Sequence, residues 1–355
     1  MQVLLLPSLP TPWLRKHSRI ALYRLCSASM LCPQCYALEG IVKPNSAEAS
    51  GGFGDIFKGR HGDRTLCLKV IRLHQRSDVV PALKVCVKEG MMWAELRHTN
   101  ILPFYGVYYL DEKREQFCLV SPWMDRGDVV TYLRNNPSIP RTPFIYDIAS
   151  GMKYLHSEGM VHGDIKGANV LVNDSGRACI TDFGLASIQV DQTLSYSRGA
   201  TTVSGCSYRW AAPELLEDGA HMTKKSDVWA FGCVCYEIYA EMVPFYECTL
   251  DTQIMRKLMI GILPIGSVQP SQIDNSMWEL MVHCCTSDPT GRPEFWEILE
   301  GMKGPSNTVP SEVPIETLPE GQQFLNKIRE GKRTWFDLDG VRCIFNKVRA
   351  RRRLL

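Results

Sequence analysis

Long apolar runs are missing from this sequence, and so is a strong charge of either sign. A helix needs roughly 20 consecutive apolar residues to cross a bilayer, and no stretch reaches that, so no transmembrane segment is expected. The apolar opening Met1-Gln2-Val3-Leu4-Leu5-Leu6 is cut short by Pro7, Pro10 and Pro12. A formal net charge of only +2 is too small to make nucleic acid or an acidic membrane the main partner. Acidic residues are absent before Glu39, whereas Arg15, Lys16, Arg19 and Arg24 are basic. That bias weakly resembles an organellar transit peptide; an untethered extension over residues 1–36 is the preferred reading. Internal repeats are absent. The motif Cys32-Pro33-Gln34-Cys35 lacks the two further ligands that zinc requires at matching spacing. The fourteen cysteines are scattered, some inside apolar runs such as Cys233-Val234-Cys235. This is the pattern of buried free thiols in a reducing compartment, and a cytoplasmic location is expected.

What is present is a chain of 355 residues with 45% apolar content, enough for two lobes with substantial cores plus tails. From about residue 37 to 122 the pattern reads as strands with one long helix. Asp55–Gly59 and Thr65–Val70 are successive strands around His61-Gly62-Asp63, Pro81 to Arg97 is helical, and Gln116–Val120 is a buried strand. Helices then dominate. Ile145, Ile148, Met152 and Leu155 recur at helical spacing before Gly159, and Val228 to Ile238 is apolar on nearly every side. Val170–Val172 and Ala178–Ile180 flank the turn Asn173-Asp174-Ser175-Gly176 as a short hairpin. The stretch 304–320 is rich in Pro, Ser, Thr and Glu and reads as a linker. After Gly340 come six Arg or Lys residues and no acid. A solvated basic end is preferred there over an anion-binding or partner helix.

Chemistry is concentrated in four places. Ala49-Ser50-Gly51-Gly52-Phe53-Gly54 precedes the first strong strand, where glycines let backbone N–H groups approach a phosphate. Lys69 ends an apolar strand, where a bare ammonium is unfavourable unless paired, and Glu89 one helix later is a natural partner. His162-Gly163-Asp164-Ile165-Lys166-Gly167-Ala168-Asn169 puts a carboxylate, a cation and an amide on one loop. Asp182-Phe183-Gly184 follows at the end of the hairpin. Asp164 is placed to orient a substrate hydroxyl, Lys166 to neutralise a phosphoryl group, and Asn169 and Asp182 to offer Mg²⁺ hard oxygen ligands. Together they suit a site for a metal-bound polyphosphate and an attacking hydroxyl.

On these residues the sequence resembles the eukaryotic protein kinase family from roughly residue 37 to 301. Ala212-Pro213-Glu214 matches the close of its activation segment, and Ser226-Asp227-Val228-Trp229-Ala230-Phe231-Gly232 the buried helix that anchors its catalytic loop. Arg292 stands where the family keeps the partner of Glu214, which implies a buried ion pair. Asn100–Pro103 and Arg209–Glu214 are similar to the tyrosine-kinase-like branch in the style of its fungal members, which mostly use serine and threonine. Lys166 and Ser207 agree with serine/threonine use. The resemblance implies an α+β fold of two lobes, a small β-rich one over about 37–124 and a larger, mainly helical one over about 125–303, with 304–355 as linker and basic tail. It implies ATP and Mg²⁺ as cofactors and protein hydroxyls as substrates. Lys69, Glu89, Asp164 and Lys166 take the catalytic positions. Nucleotide contacts are implied at Gly51, Gly52, Phe53, Gly54, Ile56, Cys67, Lys69, Ser121, Met124, Asp128, Asn169, Leu171 and Asp182. Ser121 is the implied small gatekeeper, Met124 lies in the hinge, and Asp128 is placed to reach the ribose.

Three positions depart from the family's pattern. Ala49 replaces the first glycine of the phosphate loop, and Cys67 replaces the alanine above the adenine ring. Gly163 replaces the arginine that reads a phosphate on the activation segment. Hydroxyls are abundant there (Thr193, Ser195, Tyr196, Ser197, Thr201, Thr202, Ser204), yet activity is expected not to depend on their phosphorylation through that arginine. The alternative function is a pseudokinase scaffold, suggested by Ala49 and Gly163 and opposed by Lys69, Asp164, Asn169 and Asp182.

Overall fold

The computed structural model of the protein describes Cys26 and residues 36–51, 54–70, 87–94, 96–110, 117–188, 207–266 and 268–302. Cys32 and Cys35, Gly52 and Phe53, the start of the 81–97 helix, the hydroxyls from Thr193 to Ser204, the linker and the basic tail lie outside the described residues. The described residues divide into two compact units. One holds those up to Arg97 together with Pro103–Trp123, and the other holds His98–Leu102 together with those from Met124 onward.

The first unit is built on an antiparallel sheet of five strands in the order β1-β2-β3-β5-β4. They are β1 (Ala49–Gly51), β2 (Gly54–His61), β3 (Arg64–Val70), β4 (Gly106–Tyr109) and β5 (Phe117–Pro122). The β2–β3 hairpin turns at Gly62, whose φ of +58° favours a residue without Cβ. Strand alternation sorts the side chains into two sets. Phe57, Leu66, Leu68, Cys118 and Val120 join Leu38, Ile41 and Tyr105 in one core cluster. Full burial of a residue such as Leu66 or Leu68 contributes about 1.5–3 kcal/mol. The opposite face carries Ile56, Cys67, Lys69, Leu119 and Ser121, which meet across the strands as Ile56–Lys69, Lys69–Leu119 and Cys67–Ser121.

Residues 87–93 form a helix, here α1. It approaches Leu119 closely enough that a Cβ at Gly90 would press on that side chain. The helix stops short of the expected Arg97. The Arg97 guanidinium donates to the carbonyls of Ala94 (2.9 Å) and Leu96 (2.7 Å), so its side chain satisfies carbonyls left open at the helix end.

The second unit is mainly helical. Its helices are α2 (Val129–Asn135), α3 (Thr142–Ser157), α4 (Lys224–Ala240), α5 (Asp251–Met259), α6 (Asn275–Cys284) and α7 (Phe295–Met302). Two small ladders accompany them: β6 (Met160–Val161) with β9 (Ser187–Ile188), and the expected hairpin of β7 (Val170–Val172) with β8 (Ala178–Ile180). α4 begins at a reciprocal cap between Thr223 and Ser226 and buries residues around its whole circumference. A helix buried on all sides needs a small residue where a neighbour comes close. At Gly232 a Cβ would lie 2.9 Å from Cys284 Cβ and Cys285 Sγ. Arg292, whose side chain is fully buried, holds Glu214 by two hydrogen bonds of 2.7 and 2.8 Å and donates to the carbonyls of Lys225, Thr286 and Ser287. This is the ion pair that the resemblance implies. Every described cysteine is a free thiol, and all but Cys67 are buried. Among the described residues no helix is long and apolar enough to cross a membrane.

Candidate active site

In the first unit, Lys69 reaches from β3 to α1, where its Nζ lies 2.8 Å from Glu89 Oε1. The carboxylate side chain is only 2% exposed and the lysine 13%, so this is a largely buried pair, as expected for Lys69 and Glu89. An ammonium in this partly dry setting is stabilised by the pair. The turn between β1 and β2 is pinned by Ser50, whose hydroxyl donates to Asp55 Oδ1 at 2.6 Å. Gly51 pairs with Gly54, and the φ of +134° at Gly54 is one that side-chain-bearing residues avoid. Gly52 and Phe53, at the tip, are outside the described residues. Ser121 is buried at the end of β5 and its hydroxyl bonds the thiol of Cys67 across the ladder. Burial pushes that thiol up, opposed by the Ser121 hydrogen bond and the charge of Lys69.

In the second unit the His162–Asn169 loop is fixed mainly from below, by α4. Asp227 is 1% exposed and accepts the backbone N–H of His162 and of Gly163, each at 2.9 Å. His156 Nε2 shares the same carboxylate at 2.8 Å. The His162 ring receives the Asp164 N–H at Nδ1 (3.2 Å) and, with that tautomer, donates from Nε2 to the Thr181 carbonyl (3.0 Å). Phe183 lies buried against the same ring, centroids 5.4 Å apart. These contacts present Asp164 in a defined pose. Its Oδ2 accepts Lys166 Nζ at 2.8 Å and Asn169 Nδ2 at 3.1 Å. Lys166 Nζ also donates to Ser207 Oγ at 2.9 Å, which ties the carboxylate, the cation and a distant hydroxyl into one chain of contacts.

The amide of Asn169 points its nitrogen at Asp164, so its Oδ1 is turned away and makes no hydrogen bond among the described residues. The β7–β8 register and the bond from Thr181 N–H to the Asn169 carbonyl (2.9 Å) bring Asp182 to the neighbouring strand end. Asp182 has a φ of +65°, a left-handed conformation that aspartate tolerates better than most residues. An amide oxygen and a carboxylate are hard-oxygen donors of the kind that suits a divalent cation. Asp128 caps α2 by accepting the Thr131 N–H at 2.9 Å. Met124 accepts the Gly127 N–H at the chain's passage into this unit, and Leu171 is half-buried on β7.

Gly163 has a φ of +82°, and a Cβ there would run into Met222 Sδ and lie 3.3 Å from the Leu185 carbonyl. The room at this point of the loop is therefore taken by a thioether, which offers no charge to a phosphate.

Two site-building residues escaped the sequence reading. Glu237 on α4 accepts the Gly167 N–H (2.8 Å) and the Trp210 indole N–H (2.7 Å), both on Oε2. Asp147 on α3 accepts two donors of the Arg177 guanidinium and the Ala178 N–H (3.0 Å), fastening the β7–β8 hairpin. Their only signal was a carboxylate inside an apolar helix.

A family model for protein tyrosine and serine/threonine kinases matches residues 45–302. The serine/threonine-protein kinase STY46 of Arabidopsis thaliana is 29% identical over 259 residues, which cover 72% of this chain and 42% of that protein. The serine/threonine/tyrosine-protein kinase HT1 of the same plant is 27% identical over 276 residues, 75% of this chain and 67% of its own. The human receptor-interacting serine/threonine-protein kinase 1 is 28% identical over 267 residues, with 72% and 39% covered. The chain thus spans less than half the length of STY46 and of the human relative.

Proposed function

We propose that this chain, which belongs to the protein tyrosine and serine/threonine kinase family, transfers the γ-phosphoryl group of ATP to serine and threonine hydroxyls of proteins. The observation that carries the reading is the chain of contacts Ser207–Lys166–Asp164. It supports a carboxylate held ready to orient a hydroxyl, with a cation beside it to meet the phosphoryl charge. Lys69, held by Glu89, binds the α- and β-phosphates. The same reading assigns phosphate contacts to Gly51, Gly52, Phe53 and Gly54, base contacts to Ile56, Cys67, Ser121, Met124 and Leu171, and the ribose contact to Asp128. Asn169 Oδ1 and the Asp182 carboxylate would hold Mg²⁺, which would neutralise phosphate charge when bound.

We take the kinase domain to run over residues 37–303 and the free thiols to favour the cytoplasm. Serine/threonine use is also what the names of STY46 and the human relative state of those proteins. The scaffold alternative loses weight because Gly163 is accommodated by Met222 while Asp164 keeps its partners. Radiolabelled phosphotransfer to histone and to the protein itself tests the reading: the wild type labels both, and Asp164→Asn reduces the rate by about 10²-fold or more. Equal labelling by the two proteins would overturn it, and label on tyrosine alone would overturn the choice of acceptor.

A further inference from the structure

Glu237 lies about three turns beyond Asp227 on α4 and is 5% exposed. A single oxygen, Oε2, accepts from two separate stretches of chain. One donor is Gly167 N–H, directly after Lys166, at the start of the 3-10 turn Gly167–Asn169. The other is the indole of Trp210, at the end of the 3-10 turn that begins just after Ser207. The stretches that supply Lys166 and its hydroxyl partner Ser207 are therefore held by the same atom. Gly167 is needed for this approach, since a Cβ there would run into Val130 and crowd the Glu237 carboxylate.

We propose that Glu237 is a positioning residue for phosphotransfer, a latch whose ionised carboxylate holds the catalytic loop and the Trp210 stretch together and whose protonation loosens them. The proposal rests on the kinase reading. Hydrogen bonds to an ionised acceptor are roughly twice as strong as those to a neutral one, so loss of the charge weakens both bonds at once. Two charged groups face the carboxylate, with opposite effects: Asp128 at the cap of α2 and Lys166 in the loop. Trp210 donates to it without charge, and the buried thiol of Cys233, one turn earlier on α4, also feels its charge. Burial raises the Glu237 carboxyl to about 7, with the Gly167 and Trp210 hydrogen bonds opposing it. The latch is thus poised to open within the range in which a kinase works.

The test is the pH dependence of radiolabelled phosphotransfer from ATP to histone, using the full chain between pH 6 and 8.5. For the wild type the expected turnover number falls by about tenfold between pH 8 and 6, as titration of one required carboxylate demands. Glu237→Gln keeps an acceptor oxygen but cannot titrate. As a stand-in for the protonated form it is expected about tenfold slower than wild type at pH 8 and flat across the window, since hydrogen bonds to a neutral acceptor are weaker. Trp210→Phe removes a hydrogen bond that lowers the Glu237 value, so its acid limb moves to higher pH. A Gln variant that keeps the wild-type limb, or a Phe variant whose limb stays in place, overturns the proposal. A second readout needs no catalysis. In the ¹⁵N-labelled full chain, the indole resonance that disappears in Trp210→Phe should titrate near pH 7 in the wild type and stand still in Glu237→Gln. An indole that does not move in the wild type overturns the latch even where phosphotransfer is normal. A titrating indole in a protein that transfers no phosphate refutes the kinase reading instead.

Discussion

The two units hold their functional groups by different means. In the sheet unit, Lys69 is positioned by another side chain, Glu89, reached across from a helix. In the helical unit, Asp227 and Glu237 grip the catalytic loop through the backbone N–H groups of His162, Gly163 and Gly167. A side-chain pair can be lost with little effect on the path of the chain. Backbone donors that lose a buried acceptor leave the loop without a defined path. Positioning of the lysine in the first unit is therefore separable from folding, whereas in the second the anchors of the loop are part of the fold.

The largest expected effect tests that contrast directly. Asp227→Ala leaves the two N–H groups and His156 without their acceptor and should destabilise the protein by about 3–5 kcal/mol, as for a broken buried charge network. Glu89→Ala, which frees one partly buried ammonium, should cost about 1–3 kcal/mol while abolishing phosphotransfer. Urea denaturation of both variants measures the difference, and equal losses would erase the distinction.

Next comes the latch itself. The Glu237 carboxyl is raised from 4.5 to about 7, with burial the leading cause. The folded state therefore holds a proton that the unfolded chain has released. Stability from this group is fully present below about pH 4.5 and is lost as pH rises through about 7. Glu237→Gln mimics the protonated form, so it should be more stable than wild type at pH 8, by up to about 3 kcal/mol, and nearly equal to it at pH 4.5. Thermal melts at the two pH values decide this, and a gain of the same size at both would refute the assignment. Activity and stability then pull the residue in opposite directions, as is common at functional sites.

The smallest effect concerns Gly163. An alanine must adopt a left-handed backbone, at about 1–2 kcal/mol, and must displace Met222. In a Met222→Ala background the displacement vanishes and only the backbone strain remains. A double-mutant cycle read by denaturation should therefore show positive coupling between the two positions, and strict additivity would remove Met222 from the account.

Much of this architecture was legible in the sequence, for identifiable reasons. The β7–β8 hairpin announced itself through Asn173-Asp174-Ser175-Gly176, and Gly176 indeed takes a φ of +72°. α4 was visible because a helix apolar on all sides has few alternatives. Local patterns of this kind need only neighbouring residues. The Glu237 contacts escaped because they join positions 70 and 27 residues apart, and no spacing rule reaches that far. β4 was missed because Gly106 to Tyr109 is a short strand whose place is set by its partner β5. The end of α1 was misplaced because Arg97 looks like a last-turn helix residue but works as a cap for the turn before it.

The contact between Gly163 and Met222 also bears on how such a chain can change over generations. Suppose an arginine arose at position 163 by a single mutation. It would meet a left-handed backbone and an occupied volume before any phosphate could reward it. Clearing Met222 first opens a void beside the loop with no arginine to use it. Each first step is a loss, so any route to phosphate control through an arginine here runs through a less fit intermediate. Packing by one neighbouring side chain is thus enough to bar this form of control from the chain.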